Sequence, residues 1–350
     1  MKIHSVKKVF FTILMLLTAV ALLLFSQQIR EEILRAFTLA VQTVIPGLFP
    51  FLVLSQTVCA TGFLQTDATR ADKVMQVLFC VPSSCIAPIV FGLTGGYLAG
   101  IKTVRAMYDK GEISSQQAQK LSSFCFSPGP AFAIGAVGKS MLANAQSGIL
   151  LFGSCTLAAL LCGICTNRGH HATSVSVCRA KESLGISFTR AVQTSASACL
   201  SLSAWMAVFA TVQAVFLQLI PVKVQRVFLL FAEVTGGVLQ AEQQCSLPLC
   251  AAVLCFGGLC IFCQLLPDLQ AMGISLSSFL KNRSVQALLS ACLCRIGLFF
   301  FPSADFGRPT ASVKMFRNKP VASLFLLFVC YIFILDLAPR EKTWYTVDGR

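Results

Sequence analysis

Six stretches of this chain carry no charged residue and approach or exceed the length of a bilayer crossing: Val9–Ile29, Ala36–Thr66, Val74–Ile101, Ser140–Asn167, Ala191–Val222 and Gln243–Pro267. A hydrocarbon core takes about 20 apolar residues of helix per crossing. Charged residues make up 12% of the 350, against about 25% in an ordinary soluble domain, and they cluster between the apolar runs. Inside lipid every backbone N–H and C=O must find a partner within the protein, which leaves helices as the means of crossing for runs of this kind. The pattern excludes a soluble globular enzyme. It predicts an all-α polytopic membrane protein with about 8–10 membrane segments, including broken or re-entrant helices, in two related halves.

A net charge of +14 could suggest nucleic acid as a partner. The basic residues, however, sit in short loops between apolar runs, where Lys and Arg report orientation. Nucleic acid is therefore excluded. The N-terminus (Lys2, Lys7, Lys8), the loop Arg168–Arg190 and the stretch Arg308–Lys319 are expected on the cytoplasmic side. The basic start followed by an apolar run also fits a cleaved signal peptide. The run is long for one, and the small triplet Ala19-Val20-Ala21 lies inside it, so an uncleaved first span is preferred.

Most of the 17 cysteines fall inside apolar runs, which argues for packing rather than a disulfide scaffold. Cys162-Gly-Ile-Cys165 and Cys292-Leu-Cys294 have suggestive spacings without the surrounding fold that redox chemistry needs. His4, His170 and His171 stand at no metal-ligand spacing from cysteines or acids. No metal or cofactor is expected.

Five regions follow: an N-terminal membrane helix (1–30), a first membrane repeat (31–166), a basic cytoplasmic loop (167–190), a second repeat (191–300), and a basic loop with a final short span and tail (301–350). The repeat rests on three short echoes in one order. Ala40-Val41-Gln42-Thr43 returns as Ala191-Val192-Gln193-Thr194, Thr94-Gly95-Gly96 as Thr235-Gly236-Gly237, and Phe126-Ser127-Pro128-Gly129 more weakly as Phe256-Gly257-Gly258, at offsets of 151, 141 and 130 residues. Leu276–Leu298, with Lys281, Arg283 and Arg295, is weakly hydrophobic and is expected to lie partly at the interface. Val321–Leu335 is the candidate final span.

The echoes fall where apolar runs are interrupted. A Gly or Pro break in a membrane run is costly unless protein or a wetted cavity completes its backbone bonds. Paired breaks in two halves of a chain point to a transport site, because a helix starting after a break aims free N–H groups and a positive dipole end inward. Candidate substrate-binding residues are Thr94, Gly95, Gly96, Ser127, Gly129, Glu233, Thr235, Gly236, Gly257 and Gly258, with Lys102 to close the site or balance a carboxylate. For any one glycine pair, close helix packing is the better explanation; the set of four in two halves favours transport. Glu233 stands out as a carboxylate in an apolar run, read either as functional or as paired with Arg226 near an interface. Gln42 and Gln193 are candidates for a polar path or an interhelical hydrogen bond.

A series of motifs in order resembles the YlbJ family of sporulation integral membrane proteins, whose membrane segments belong to the nucleoside-recognition "Gate" group. The residues are Ile45-Pro46-Gly47-Leu48-Phe49-Pro50-Phe51, Gly92-Leu93-Thr94-Gly95-Gly96-Tyr97-Leu98-Ala99-Gly100-Ile101-Lys102, Lys110-Gly111-Glu112-Ile113-Ser114, Ser123 to Pro130 and Ile134 to Gly138. In the second half, Glu233 to Gly237 and Phe256 to Leu259 look like later motifs, so the resemblance runs from about Leu34 to Ile296. The chain departs from the family at Leu98, where a proline is usual, and at Phe126, Ser127 and Pro128, where the family usually has Asn, Asn and Ser. The resemblance implies a bacterial cell membrane, a role in spore formation and a transporter or gate activity; nucleoside as substrate comes only from the group's name.

The expected function is thus a transporter or permease for a small solute or ion, nucleoside-like or otherwise. The alternative is a non-transporting scaffold of a sporulation or envelope complex. An enzyme is not expected, since Ser127 has no histidine near it in sequence and no acid–base pair stands in matching runs. The lipid bilayer is the expected partner besides the solute, and assembly as a homo-oligomer is left open.

Overall fold

In the computed structural model the described residues are 2–61, 69–166, 183–244 and 246–305, and they are helical with no strand. The helices are α1 (Lys2–Leu24), α2 (Ser26–Leu39), α3 (Ile45–Thr61), α4 (Thr69–Phe79), α5 (Ile86–Thr94), α6 (Tyr97–Asp109), α7 (Ser115–Phe124), α8 (Ala145–Thr166) and α9 (Leu184–Leu219), followed by α10 (Val222–Ala232), α11 (Val234–Glu242), α12 (Leu247–Phe256), α13 (Gly258–Ala271) and α14 (Leu276–Phe300). Five helical stretches are long and apolar enough to cross a membrane: Ser26–Thr61, Ala145–Cys165, Leu184–Gln218, Leu247–Ala271 and Leu276–Phe300. Three shorter apolar helices, Met15–Leu24, Ser83–Thr94 and Ala131–Met141, accompany them. The chain is an all-α polytopic membrane protein.

The outward surface fits that conclusion. Large apolar side chains stand exposed around the bundle, among them Val77, Leu200, Leu288 and Phe299, the last 84% exposed. Apolar surface on this scale is covered by lipid in a chain with these spans. α1 presents Met15, Leu16, Leu17, Leu23 and Leu24 in the same way.

Proline and glycine shape the long helices. Pro46 and Pro50 do not end the segment that holds them. The helix runs from Ser26 to Thr61 through a π-helical turn at Ala40–Val44, and Pro50 lies inside α3. The widened turn comes just before the first residue that lacks a backbone donor, where the regular ladder is already interrupted. Ala131–Met141 is likewise π-helical and too short to cross alone, in keeping with the broken or re-entrant helices expected in the chain. α7 starts at a capping box: Gln117 N–H donates to Ser114 Oγ at 3.3 Å, and Ser114 N–H to Gln117 Oε1 at 2.8 Å.

α9 packs along α2 and α3, while α14 packs on α12 and α8. Two corrections arise here. α14 is an unbroken 25-residue helix with Phe279, Arg283, Gln286 and Ser290 buried, long and apolar enough to cross, so Leu276–Leu298 packs as part of the bundle and not as a loosely hydrophobic surface segment. α9 starts at Leu184, so Arg190 is on a helix and the basic loop is shorter than expected. The loop residues 167–182 with His170 and His171, the stretch Arg308–Lys319 and the final short span Val321–Leu335 lie outside the described residues. The described cysteines are free. Cys162 is buried and Cys165 exposed, as are Cys294 and Cys292 respectively, so neither pair shares a face.

One segment order occurs twice. In α5–α6–α7 the junctions carry left-handed glycines at Gly96 (φ 89°) and Gly111 (φ 69°), and in α12–α13–α14 at Gly257 (φ 93°) and Gly273 (φ 70°). Gly257 follows Gly96 by 161 residues and Gly273 follows Gly111 by 162. The sequence echo of Thr94-Gly95-Gly96 takes another place: Thr235-Gly236 heads α11, with no left-handed residue there.

Candidate functional site

Two interrupted segments press on each other at the centre of the chain. The non-helical stretch between α7 and the π-helical segment, residues 125–129, passes over α5 and α6 at Gly92 and Gly100. A β-carbon at Gly92 would lie 2.5 Å from the Cys125 carbonyl oxygen, and one on Gly100 would fall inside that atom. Gly129 meets the first break directly: a β-carbon there would stand 3.0 Å from Thr94 O and 3.1 Å from Gly96 N. Only glycine lets the two backbones approach this closely.

A third interruption closes on the same place. Glu233 is extended (φ −147°, ψ 141°) between α10 and α11. Its Oε2 accepts from Gly236 N–H at 2.9 Å and from the Thr235 hydroxyl, capping α11. Gly258 stands behind it, where a β-carbon would lie 3.2 Å from Val234 N. Glu233 forms no ion pair with Arg226; ion pairs among the described residues include Arg35–Glu32, Lys102–Asp268 and Arg105–Asp109.

Between these breaks lies a cavity of about 70 Å³. Thr94, Gly95, Gly96, Gly129, Glu233 and Thr235 are in its wall. Its remaining wall is mostly apolar, from α3 (Leu48), α9 (Leu202, Met206) and their neighbours. Four helical segments begin here. Tyr97 and Leu98 open α6, Ala131 and Phe132 open the π-helical segment, Val234 and Thr235 open α11, and Cys260 and Ile261 sit in the first turn of α13. First turns carry unpaired N–H groups and the positive end of the helix dipole.

The other expected residues lie elsewhere. Ser127 is 1% exposed and away from the cavity, its hydroxyl unpartnered in protein. Gly236 touches the site only through the N–H that holds Glu233, and Gly257 packs on the Phe126 ring. Gln42 and Gln193 are both exposed and do not line the cavity. Thr43, the neighbour of Gln42 in the π-helical turn, is in the wall.

Lys102 does balance a carboxylate, but not Glu233. Its Nζ lies 2.8 Å from Asp268 Oδ2, tying α6 to α13, with the side chains 28% and 14% exposed. Breaking so partly buried a pair costs about 1–3 kcal/mol, below the cost for a fully buried one. Asp268→Asn is expected to lower the apparent melting midpoint of the purified protein, and Lys102→Asp with Asp268→Lys to regain most of the loss. A swap as unstable as the sum of its parts would show that the pair is incidental.

Arg283 was not expected at all. Its guanidinium is fully buried on α14, donating to Phe126 O at 2.6 Å and to Ser123 O, and it stacks over Phe126 with 4.8 Å to the ring centroid. Gln286 adds a bond to Ser123 O at 2.5 Å. These donors satisfy carbonyls that the break after α7 leaves without helical partners. The remaining link across the breaks is the Tyr97 hydroxyl, which donates to Leu254 O at 2.6 Å.

Among curated proteins, the chain is 31% identical over 123 residues to the sporulation integral membrane protein YlbJ of Bacillus subtilis (strain 168). The similarity takes in 35% of this chain and spans 30% of that protein's length. No protein-family model matches the chain, and no solved structure does.

Proposed function

We propose that this chain is a transporter or permease of the YlbJ-like kind, moving a small solute through the cavity between its broken helices. The observation that carries the reading is the meeting of three separate interruptions, at Thr94–Gly96, 125–129 and Glu233, around one cavity in a membrane bundle. Non-helical backbone at membrane depth is tolerated where it is buried in protein or lines a solute path. Packing alone would account for the glycines, whereas the carboxylate that caps α11 also faces the cavity. The three helix starts that Glu233 does not cap favour a solute that presents hydrogen-bond acceptors or negative charge, as nucleoside-like solutes and small anions do. We further propose that the chain serves spore formation in a bacterial cell membrane with its N-terminus cytoplasmic, and that it is not an enzyme.

The test is uptake by the full chain in proteoliposomes, screened over nucleosides, small anions and metal ions. One class is expected to accumulate. Glu233→Gln exchanges a charge-assisted contact worth about 1.5–3 kcal/mol for a neutral one, so uptake should fall roughly ten- to a hundredfold with protein level and folding kept. No uptake of any class by folded protein would favour the membrane scaffold instead, whereas full uptake by the folded Glu233→Gln variant would keep the transporter and remove Glu233 from its site.

A further inference from the structure

We infer that the Glu233 side of the cavity binds a monovalent cation of about the size of Na⁺, which travels with the solute. The inference rests on the transport reading for its second half only; binding of the cation stands on the residues themselves. Among the described residues, Glu233 is the one charged side chain in the cavity wall. Its Oε2 accepts from two donors, the Thr235 hydroxyl and Gly236 N–H. No basic side chain pairs with it among the described residues. A carboxylate in a cavity wall without a basic partner leaves room for a positive one, and a cation from solution can supply it.

The neighbouring hydroxyls point to the same class of ligand. The Thr94 hydroxyl donates its proton to Val90 O at 2.7 Å, and the Thr235 hydroxyl donates its own to Glu233. Both oxygens are left with lone pairs to offer, which suits a cation and not an anion. Thr94 and Gly95 are also the last turn of α5 and the residue after it, so the carbonyl end of that helix is part of the wall. Oxygen donors select a hard cation, and one formal negative charge balances a single positive one.

Cation and solute would then assist each other. The first turns of α6, α13 and the π-helical segment favour an acceptor-bearing solute, which Glu233 repels until the cation neutralises it. Coupling of this kind is reciprocal, each ligand tightening the other.

The test uses the purified full chain in nanodiscs, with the melting midpoint followed against NaCl and against choline chloride at equal ionic strength. At about 100-fold over its dissociation constant, Na⁺ should raise the midpoint by roughly 5 °C, and choline should not. Glu233→Gln should lose the Na⁺ response. Thr94→Val, which keeps the side-chain shape, should weaken it about tenfold in concentration, and it carries the test should Glu233→Gln not fold. No Na⁺ response in the wild type, a response that follows pH alone, or an equal response in both variants overturns the inference. Proteoliposome uptake separates the two readings. Solute uptake indifferent to a Na⁺ gradient sinks the coupling and leaves the transporter, whereas Na⁺ binding without uptake of any solute sinks the transporter and leaves the cation site.

Discussion

Gly100→Ala is expected to abolish the folded protein in the membrane, although it adds a single methyl group and raises the helix propensity of α6. Propensity favours alanine over glycine by about 1 kcal/mol in a helix interior. Packing opposes it far more strongly. The new carbon would fall inside the Cys125 carbonyl oxygen and stand 2.7 Å from Gly92 Cα. Both neighbours are backbone, so no rotamer change relieves the clash. α6 would have to lift from the 125–129 stretch, taking with it the contact between Gly129 and the Thr94–Gly96 break. Overpacking costs about 1–3 kcal/mol where side chains can give way, and more where they cannot. Gly153→Ala is the control, because a β-carbon there meets nothing within 4 Å. Size-exclusion profiles of detergent extracts should show a folded peak for the Gly153 variant and little or none for Gly100→Ala. A Gly100→Ala peak equal to the wild type, with an unchanged melting midpoint, would remove the claim that these segments touch.

Charge-free runs and their Gly/Pro interruptions carried the fold class into view, because lipid imposes one rule on every backbone group it surrounds. The same rule drew attention to Thr94–Gly96, Gly129 and Glu233, and these do share one cavity. Identity between short strings was a poorer guide to register. Thr235-Gly236-Gly237 copies the letters of Thr94-Gly95-Gly96, yet the left-handed conformation of Gly96 is matched at Gly257, where the preceding residue is Phe256. Conformation at a helix junction needs a glycine and little else, so the flanking letters are free to differ. Gln42 shows another limit. A π-helical turn shifts the faces of everything after it, and the ordinary helical period cannot say which of Gln42 or Thr43 turns inward.

Hydropathy hid Arg283 in particular. An arginine lowers the mean of its window wherever its guanidinium ends up, so a buried arginine and one at the interface look alike in sequence. What distinguishes them is a set of carbonyls in need of donors, and those belong to a break some 155–160 residues earlier in the chain. A carbonyl cradle assembled from distant sequence leaves no local signal. The residue and the break it serves become a pair only once α14 lies beside α7.

Arg283→Met is accordingly expected to cost about 3–5 kcal/mol, the second of the two largest effects here. Methionine fills much of the same volume and leaves the carbonyls of Phe126 and Ser123 short of donors in a dry core. The stacking over Phe126 and Phe279 is lost with them, worth about 2 kcal/mol for a desolvated cation. Arg283→Lys keeps the charge but has no planar fork to reach both carbonyls, so it should fall between methionine and the wild type. Gln286 offers an internal check, since it donates to the same Ser123 carbonyl. Removing either donor leaves that oxygen a partner; removing both leaves it none. The double variant Arg283→Met with Gln286→Leu should therefore be worse than the sum of the single losses, by about 1 kcal/mol or more in a thermal or denaturant cycle. Strict additivity in that cycle, or a methionine variant as stable as the wild type, would mean that the break after α7 completes its backbone bonds without α14. The segment carrying Gly129 to the cavity wall would then need another support.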